Sequence, residues 1–302
     1  MSLLDQFFVY HPEPWKEGDW SATGGVPLED VWFQAADGTK LFGWYAEQSA
    51  ASPVLLWCHG NAGNMVHRLD NLRALYRLGL SVFLFDYRGY GRSQGRPSEN
   101  GLYQDAIGAY DYLTRVCRIR PERLVIFGRS LGGAVAGELA TQRPAMGLLL
   151  ESCFPSIEAV ARHHYMGLPL HWLLGASFRL EDRLPHLSLP KLFVHGDRDD
   201  IIPIELGQRA FVAAKAPKEF YIVRGADHND VPSVGGRAYF VKLSAFIAAA
   251  LGRCGRERRF APSAFFLVSM DSLGKMRWSD RVLGREVGMR PRHHLAAVRI
   301  FC

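Results

Sequence analysis

Short runs of apolar, β-branched and aromatic residues alternate along the chain with longer stretches of helical periodicity, a pattern that predicts βαβ units and a mainly parallel sheet. Residues 31–35 and 41–46 flank the turn dipeptide Asp37-Gly38 and predict an opening hairpin. Strands are predicted at 54–58, 81–86, 124–127, 147–150, 191–195 and 220–223. Helices are predicted at 66–78, 102–116, 131–141 and about 237–251. The stretch 153–190 breaks the alternation. It sets Phe154, Tyr165, Met166, Leu168, Leu170, Trp172, Leu173 and Leu174 among prolines and histidines, which suits a cap inserted over a site. Those residues either line an apolar pocket or pack the cap itself. Beyond Gly252 the chain is Arg-rich and has no sustained periodicity.

The composition, 302 residues with 48% hydrophobic and 22% charged, fits one large domain with an appendage. The net charge of +6 does not belong to the main body. Of 36 Lys/Arg, 11 lie after Gly252 with only 4 of the 30 Asp/Glu, so the first 252 residues are nearly neutral. Whole-chain basicity therefore gives no reason to expect a nucleic-acid partner. Five scattered cysteines without a Cys-x-x-Cys spacing disfavour a disulfide framework or a zinc site, and a reducing, cytoplasmic setting is expected. The first ten residues do not read as a signal peptide, and no uninterrupted apolar run reaches the roughly 18 residues of a membrane span. A soluble protein is expected, with membrane association left open and the oligomeric state undefined.

Gly128-Arg129-Ser130-Leu131-Gly132 matches Gly-x-Ser-x-Gly, the turn that exposes a nucleophilic serine between a strand and a helix. The pattern alone is weak, because two such glycines surround about 0.5% of serines by chance. Gly91-Arg92-Ser93-Gln94-Gly95 matches it too. Context separates them. Ser130 directly follows the apolar run 124–127 and precedes a helix of small residues, whereas Ser93 is followed by Arg96-Pro97-Ser98, where no helix starts. Ser130 is the predicted nucleophile and Ser93 a loop residue.

Unpaired amides at the start of the helix after Ser130 favour negative charge, so Leu131 N–H is a candidate oxyanion donor. The second donor should come from the loop after the third strand, where His59-Gly60-Asn61-Ala62-Gly63-Asn64 places Asn61; the same residues could equally form an ordinary turn. A serine hydroxyl needs a base, and of eleven histidines His228 is the one in the loop after the last strand, late in the chain as the order Ser, acid, His requires. The acid falls in His195-Gly196-Asp197-Arg198-Asp199-Asp200, after the strand at 191–195. Chemistry does not choose among the three aspartates, and one or two of them are expected to cap the turn or pair with Arg198. His163, His164 and His171 have no acidic or thiol partner at ligand spacing, so no metal is expected, and acyl transfer by such a triad needs no cofactor.

With these motifs the chain resembles the α/β-hydrolase superfamily. The likeness is to the branch of bacterial serine-aminopeptidase-like hydrolases and eukaryotic α/β-hydrolase-domain proteins, protein depalmitoylases among them. It runs from about Phe8 to Leu251 and rests on the motifs at 59–64, 86–93, 128–133, 195–203 and 228–230. It implies a mostly parallel eight-stranded sheet flanked by helices, with a short helical cap at about 153–190 on a domain of residues 1–251; the basic tail, 252–302, lies outside the resemblance, and its Arg-rich, non-periodic sequence predicts a disordered or loosely attached segment. The family pattern His-Gly-x-x-Asp-x-x-Ile/Val-Pro lands on Asp199 and so selects it as the acid. The function expected is hydrolysis of an ester or thioester with an apolar acyl group, the substrate being a small molecule or an acylated partner. An aminopeptidase or amidase, or a noncatalytic binding protein on the same fold, are the alternatives.

Overall fold

A computed structural model describes residues 9–15, 25–164, 176–257, 267–270 and 276–279. Eight strands form one sheet: β1 (Glu29–Gln34), β2 (Lys40–Ala46), β3 (Val54–Cys58), β4 (Ser81–Asp86), β5 (Leu124–Arg129), β6 (Gly147–Glu151), β7 (Lys191–Gly196) and β8 (Lys218–Val223). Their spatial order is β1-β2-β4-β3-β5-β6-β7-β8. The pairs β1–β2 and β2–β4 are antiparallel and all others parallel, so the order reverses at β3, between β4 and β5. In open sheets of this kind a ligand site forms beyond the carboxyl ends of strands near such a reversal.

The central strands read as continuous apolar runs because both faces are covered. Alternate residues of β3 divide between two cores, with Val54, Leu56 and Cys58 on one face and Leu55 and Trp57 on the other. The first core is covered by α2 (Glu99–Asp111), α3 (Leu131–Gln142) and α6 (Ile204–Ala213), through Leu102, Ala106, Val135 and Ala210. The second is covered by α1 (Leu69–Arg77) and α7 (Val231–Glu257), through Leu72, Leu75, Leu243 and Ile247. Two helices, α4 (Ile157–His164) and α5 (Leu180–Arg183), flank the undescribed residues 165–175.

Three differences from the sequence-based expectations have physical causes. Helix α2 starts at Glu99 rather than 102, because the Ser98 hydroxyl caps it by accepting from Gly101 N at 3.1 Å. Helix α6 has no predicted counterpart. It holds Gly207, which lowers its propensity, but a Cβ there would stand 2.3 Å from His195 Nδ1, so the glycine is what lets α6 close on β7. Helix α7 is longer than expected and continues past Gly252 to Glu257, with a break at Gly236 (φ 46°, ψ −136°). By length and composition the stretch Val231–Arg253 could cross a membrane, with mean hydropathy 1.3. In this fold it packs Tyr239, Leu243, Ile247 and Ala250 into the core and leaves Val234 and Val241 exposed.

The ends of the cap insertion are held together. Ile157 N donates to Ser177 C=O at 2.9 Å and Glu181 N to Pro155 C=O at 3.0 Å. The Glu99 carboxylate at the start of α2 accepts from the backbone N–H of Ser177 and Phe178 at 2.6 and 2.9 Å. Of the apolar residues the sequence placed in the cap, Phe154 is buried in the core of the main body, and Tyr165, Met166, Leu168, Leu170, Trp172, Leu173 and Leu174 lie outside the described residues.

By contacts the chain divides into two units, Met1–Arg259 and Phe260–Cys302. In the second, the described residues Leu267–Met270 and Met276–Ser279 pair as an antiparallel hairpin.

Candidate active site

Ser130 sits between the end of β5 and the start of α3 with φ 53° and ψ −122°, a left-handed conformation that costs a non-glycine residue on the order of 1–3 kcal/mol. Its surroundings enforce that strain. Ser130 N donates to Glu151 C=O and Ser130 C=O accepts from Gly133 N, both at 2.9 Å. A Cβ at Gly128 would stand 2.4 Å from Gly132 O, and one at Gly132 would stand 2.0 Å from Cys58 O. Both glycines of the motif are thus demanded by close backbone approach.

The His228 loop follows β8. Its Nε2 lies 3.1 Å from Ser130 Oγ, and its Nδ1 lies 2.8 Å from Asp199 Oδ2. Asp199 is nearly buried, and its Oδ1 accepts from the N–H groups of Ile201 and Ile202 at 3.1 and 2.7 Å. Burial alone would raise this carboxyl. Hydrogen bonds from His195, from His228 and from the Ile202 amide outweigh it and hold Asp199 well below the usual carboxylate range. An ionised acid at Nδ1 fixes the tautomer with the proton on Nδ1, which leaves Nε2 as the acceptor facing Ser130.

The neighbouring aspartates are placed elsewhere. Asp197 accepts from Gly225 N at 2.5 Å and pairs with Arg224 at 3.3 Å. Asp200 is exposed. Carboxylate oxygens of Asp199, Asp200 and Asp227 come within 4.8 Å of one another, but those of Asp199 are already committed to His228, Ile201 and Ile202.

Ser93 is far from free. Its buried hydroxyl donates to Asp86 C=O at 2.6 Å and accepts from Phe42 N at 2.9 Å, tying the loop after β4 to β2.

The loop carrying Asn61 is fixed at three successive carbonyls. Tyr87 Oη donates to His59 C=O at 3.1 Å, His59 Nδ1 to Gly60 C=O at 2.6 Å, and Tyr90 Oη to Asn61 C=O at 2.8 Å. The loop passes beside the serine, since a Cβ at Gly60 would stand 3.5 Å from Ser130 Cβ. No side chain caps the N-terminus of α3, so its first amides, beginning with Leu131, lie beside Ser130 without an intrahelical acceptor.

Under this loop lies an unusual pair. His59 and Asp86 are fully buried, with Nε2 and Oδ1 3.7 Å apart and no hydrogen bond between them. Burial, reinforced by the Arg68 charge, lowers His59 to about 3. Burial raises Asp86 to about 7, although its Oδ1 accepts from Met65 N at 2.7 Å. None of these supporting contacts was read from the sequence, though His59, Asp86, Tyr87 and Tyr90 all stand inside its motifs.

Sheet order, elbow and the line of Ser130, His228 and Asp199 define an α/β hydrolase, and comparison with known proteins agrees. Residues 49–175 match the family described as serine aminopeptidase, S33. The chain is 41% identical over 238 residues to Mycobacterium tuberculosis Rv2307c, covering 77% of this chain and 85% of that one. It is 36% identical to the α/β hydrolase domain-containing protein WAV2 of Arabidopsis thaliana, covering 70% and 76% of the two chains. It is 34% identical to the lysophosphatidylserine lipase ABHD12 of Danio rerio, covering 72% of this chain and 60% of that protein. Among solved structures, the Pyrococcus furiosus esterase Pf2001 shares the fold with TM-score 0.67 at 18% identity, covering 81% and 98% of the chains. The chain belongs to the α/β-hydrolase superfamily and is a hydrolase.

Proposed function

We propose that the chain is a serine hydrolase of carboxylic esters or thioesters with an apolar acyl group, acting through an acyl-enzyme. The observation that carries this is the alignment of His228, with Nε2 3.1 Å from Ser130 Oγ and Nδ1 2.8 Å from Asp199 Oδ2. Ser130 Oγ attacks the carbonyl carbon as its proton passes to Nε2. The tetrahedral oxyanion is met by the amides of Leu131 and Asn61. The C–O or C–S bond then breaks, and Nε2–H protonates the leaving group. Water, deprotonated by the same nitrogen, repeats the sequence and releases the acid. Leu131 rather than Ser130 supplies the first amide, because Ser130 N–H is already spent on Glu151 C=O. Ester chemistry is supported by the relative named as a lysophosphatidylserine lipase and by the esterase that shares the fold. A cytoplasmic setting is part of the same proposal, on the odd number and scattered spacing of the five cysteines in the sequence.

A second reading, hydrolysis of an N-terminal peptide bond, is favoured by one observation, the description of the family that matches residues 49–175. A fluorophosphonate probe tests the serine chemistry. Labelling lost in Ser130→Ala and kept in Ser93→Ala is expected, and an unlabelled wild type rejects the proposal. Turnover of p-nitrophenyl esters of graded length, acyl thioesters and aminoacyl amides then chooses between the readings. Faster turnover of aminoacyl amides than of any ester favours the second.

A further inference from the structure

Arg129, the residue before Ser130, points its buried side chain across the carboxyl ends of the sheet. Its Nη2 donates to the backbone C=O of His228 at 2.7 Å and reaches Asn229 Oδ1 at 3.4 Å. A guanidinium in such a place is costly unless its charge is met. Glu151, the register partner of Arg129 on β6, meets it with Oε1 3.2 Å from Nε. The other oxygen of Glu151 accepts from Tyr239 Oη at 2.6 Å, and Tyr239 lies on α7, just after the His228 loop. Glu151 also receives Ser130 N–H on its backbone carbonyl. The two strand ends that fix the serine therefore also hold the backbone of the histidine.

We propose that Arg129 is a positioning residue for the base, its guanidinium anchored by Glu151 and gripping the His228 carbonyl so that Nε2 stays within reach of Ser130 Oγ. This rests on the serine-hydrolase reading above. The competing account is that Arg129 merely neutralises Glu151. The two differ when both charges are removed together. In Arg129→Met/Glu151→Gln nothing remains to be neutralised, yet the His228 carbonyl still lacks its donor.

The test measures kcat and KM on a p-nitrophenyl ester, the rate of fluorophosphonate labelling, and thermal unfolding of the full chain. A displacement of about 1 Å at a reacting group costs about 10²-fold in rate. The double variant is therefore expected to fold, keep KM within about 2-fold and lose about 10²-fold in kcat and labelling rate alike. Arg129→Lys keeps the charge but not the reach of the planar fork. It should show the same split between kcat and KM, and it serves if the double variant does not fold. A folded double variant with wild-type kcat overturns the proposal, as does a loss in Arg129→Lys that falls on KM and melting temperature rather than on kcat. A wild type that takes no label defeats the hydrolase reading itself. A labelled wild type with an unimpaired double variant defeats only the role of Arg129.

Discussion

His228 Nδ1 and Asp199 Oδ2 lie 2.8 Å apart, while Asp197 and Asp200, two and one residues from Asp199, face Arg224 and solvent. Asp199→Asn should keep the loop geometry but permit the wrong imidazole tautomer, lowering kcat by about 10⁴-fold. Asp197→Asn and Asp200→Asn should stay within a few-fold of wild type. Ester turnover by the three variants checks the assignment, and a larger loss at Asp197 or Asp200 than at Asp199 refutes it.

Ser93→Ala separates a structural serine from a chemical one. The alanine leaves Phe42 N and Asp86 C=O without their partner in a buried place, at a cost of about 1–3 kcal/mol. Urea unfolding should reveal that loss while kcat of the folded fraction is unchanged.

Gly132→Ala tests the elbow itself. The added methyl would stand 2.0 Å from Cys58 O and 2.5 Å from His59 O, so either α3 or the Asn61 loop must move. Overpacking of this kind costs about 1–3 kcal/mol, and movement of the loop should lower kcat more than it raises KM. Full activity at wild-type stability would mean that the backbone there yields without cost.

The buried pair His59 and Asp86 makes a prediction about pH. His59 is lowered to about 3, so its contribution to stability is present above the unfolded value near 6.5 and is lost as pH falls toward 3. Asp86 is raised to about 7, so its contribution is present below the unfolded value near 3.8 and is lost as pH rises toward 7. Between about pH 4 and 6.5 the two slopes oppose each other. Asp86→Asn removes one of them and keeps an acceptor for Met65 N. Its stability should therefore rise with pH more steeply than that of the wild type, by about 1.4 kcal/mol per unit in this window. Urea midpoints at pH 5.0 and 6.5 measure it, and parallel slopes for the two proteins would contradict it.

The sheet and its main helices were legible because hydrophobic period and flanking turns carry them directly, as at β3 and β4. Helix α6 was not, since Gly207 weakens its local signal and the compensation lies across the fold at His195. The three side chains that the structure brings together are those singled out by motif context, chain order and family pattern. What holds them was hidden for a different reason. Arg129 and Glu151 are 22 residues apart and each looks like an ordinary charged residue. Only the register of β5 against β6 makes them neighbours. Asp197, Asp199 and Asp200, so close in the chain, likewise cannot be told apart by composition. What distinguishes Asp199 is the pair of amides from Ile201 and Ile202 that turns it toward His228.

The stem of the cap, closed by Ile157 with Ser177, Glu181 with Pro155, and the Glu99 carboxylate, gives the insertion two neighbouring ends rooted in the main body. Segments of different length and sequence can be threaded between such ends without disturbing the strands that carry Ser130, Asp199 and His228. The chain between these anchors can therefore change in length or sequence while Ser130, Asp199 and His228 keep their geometry.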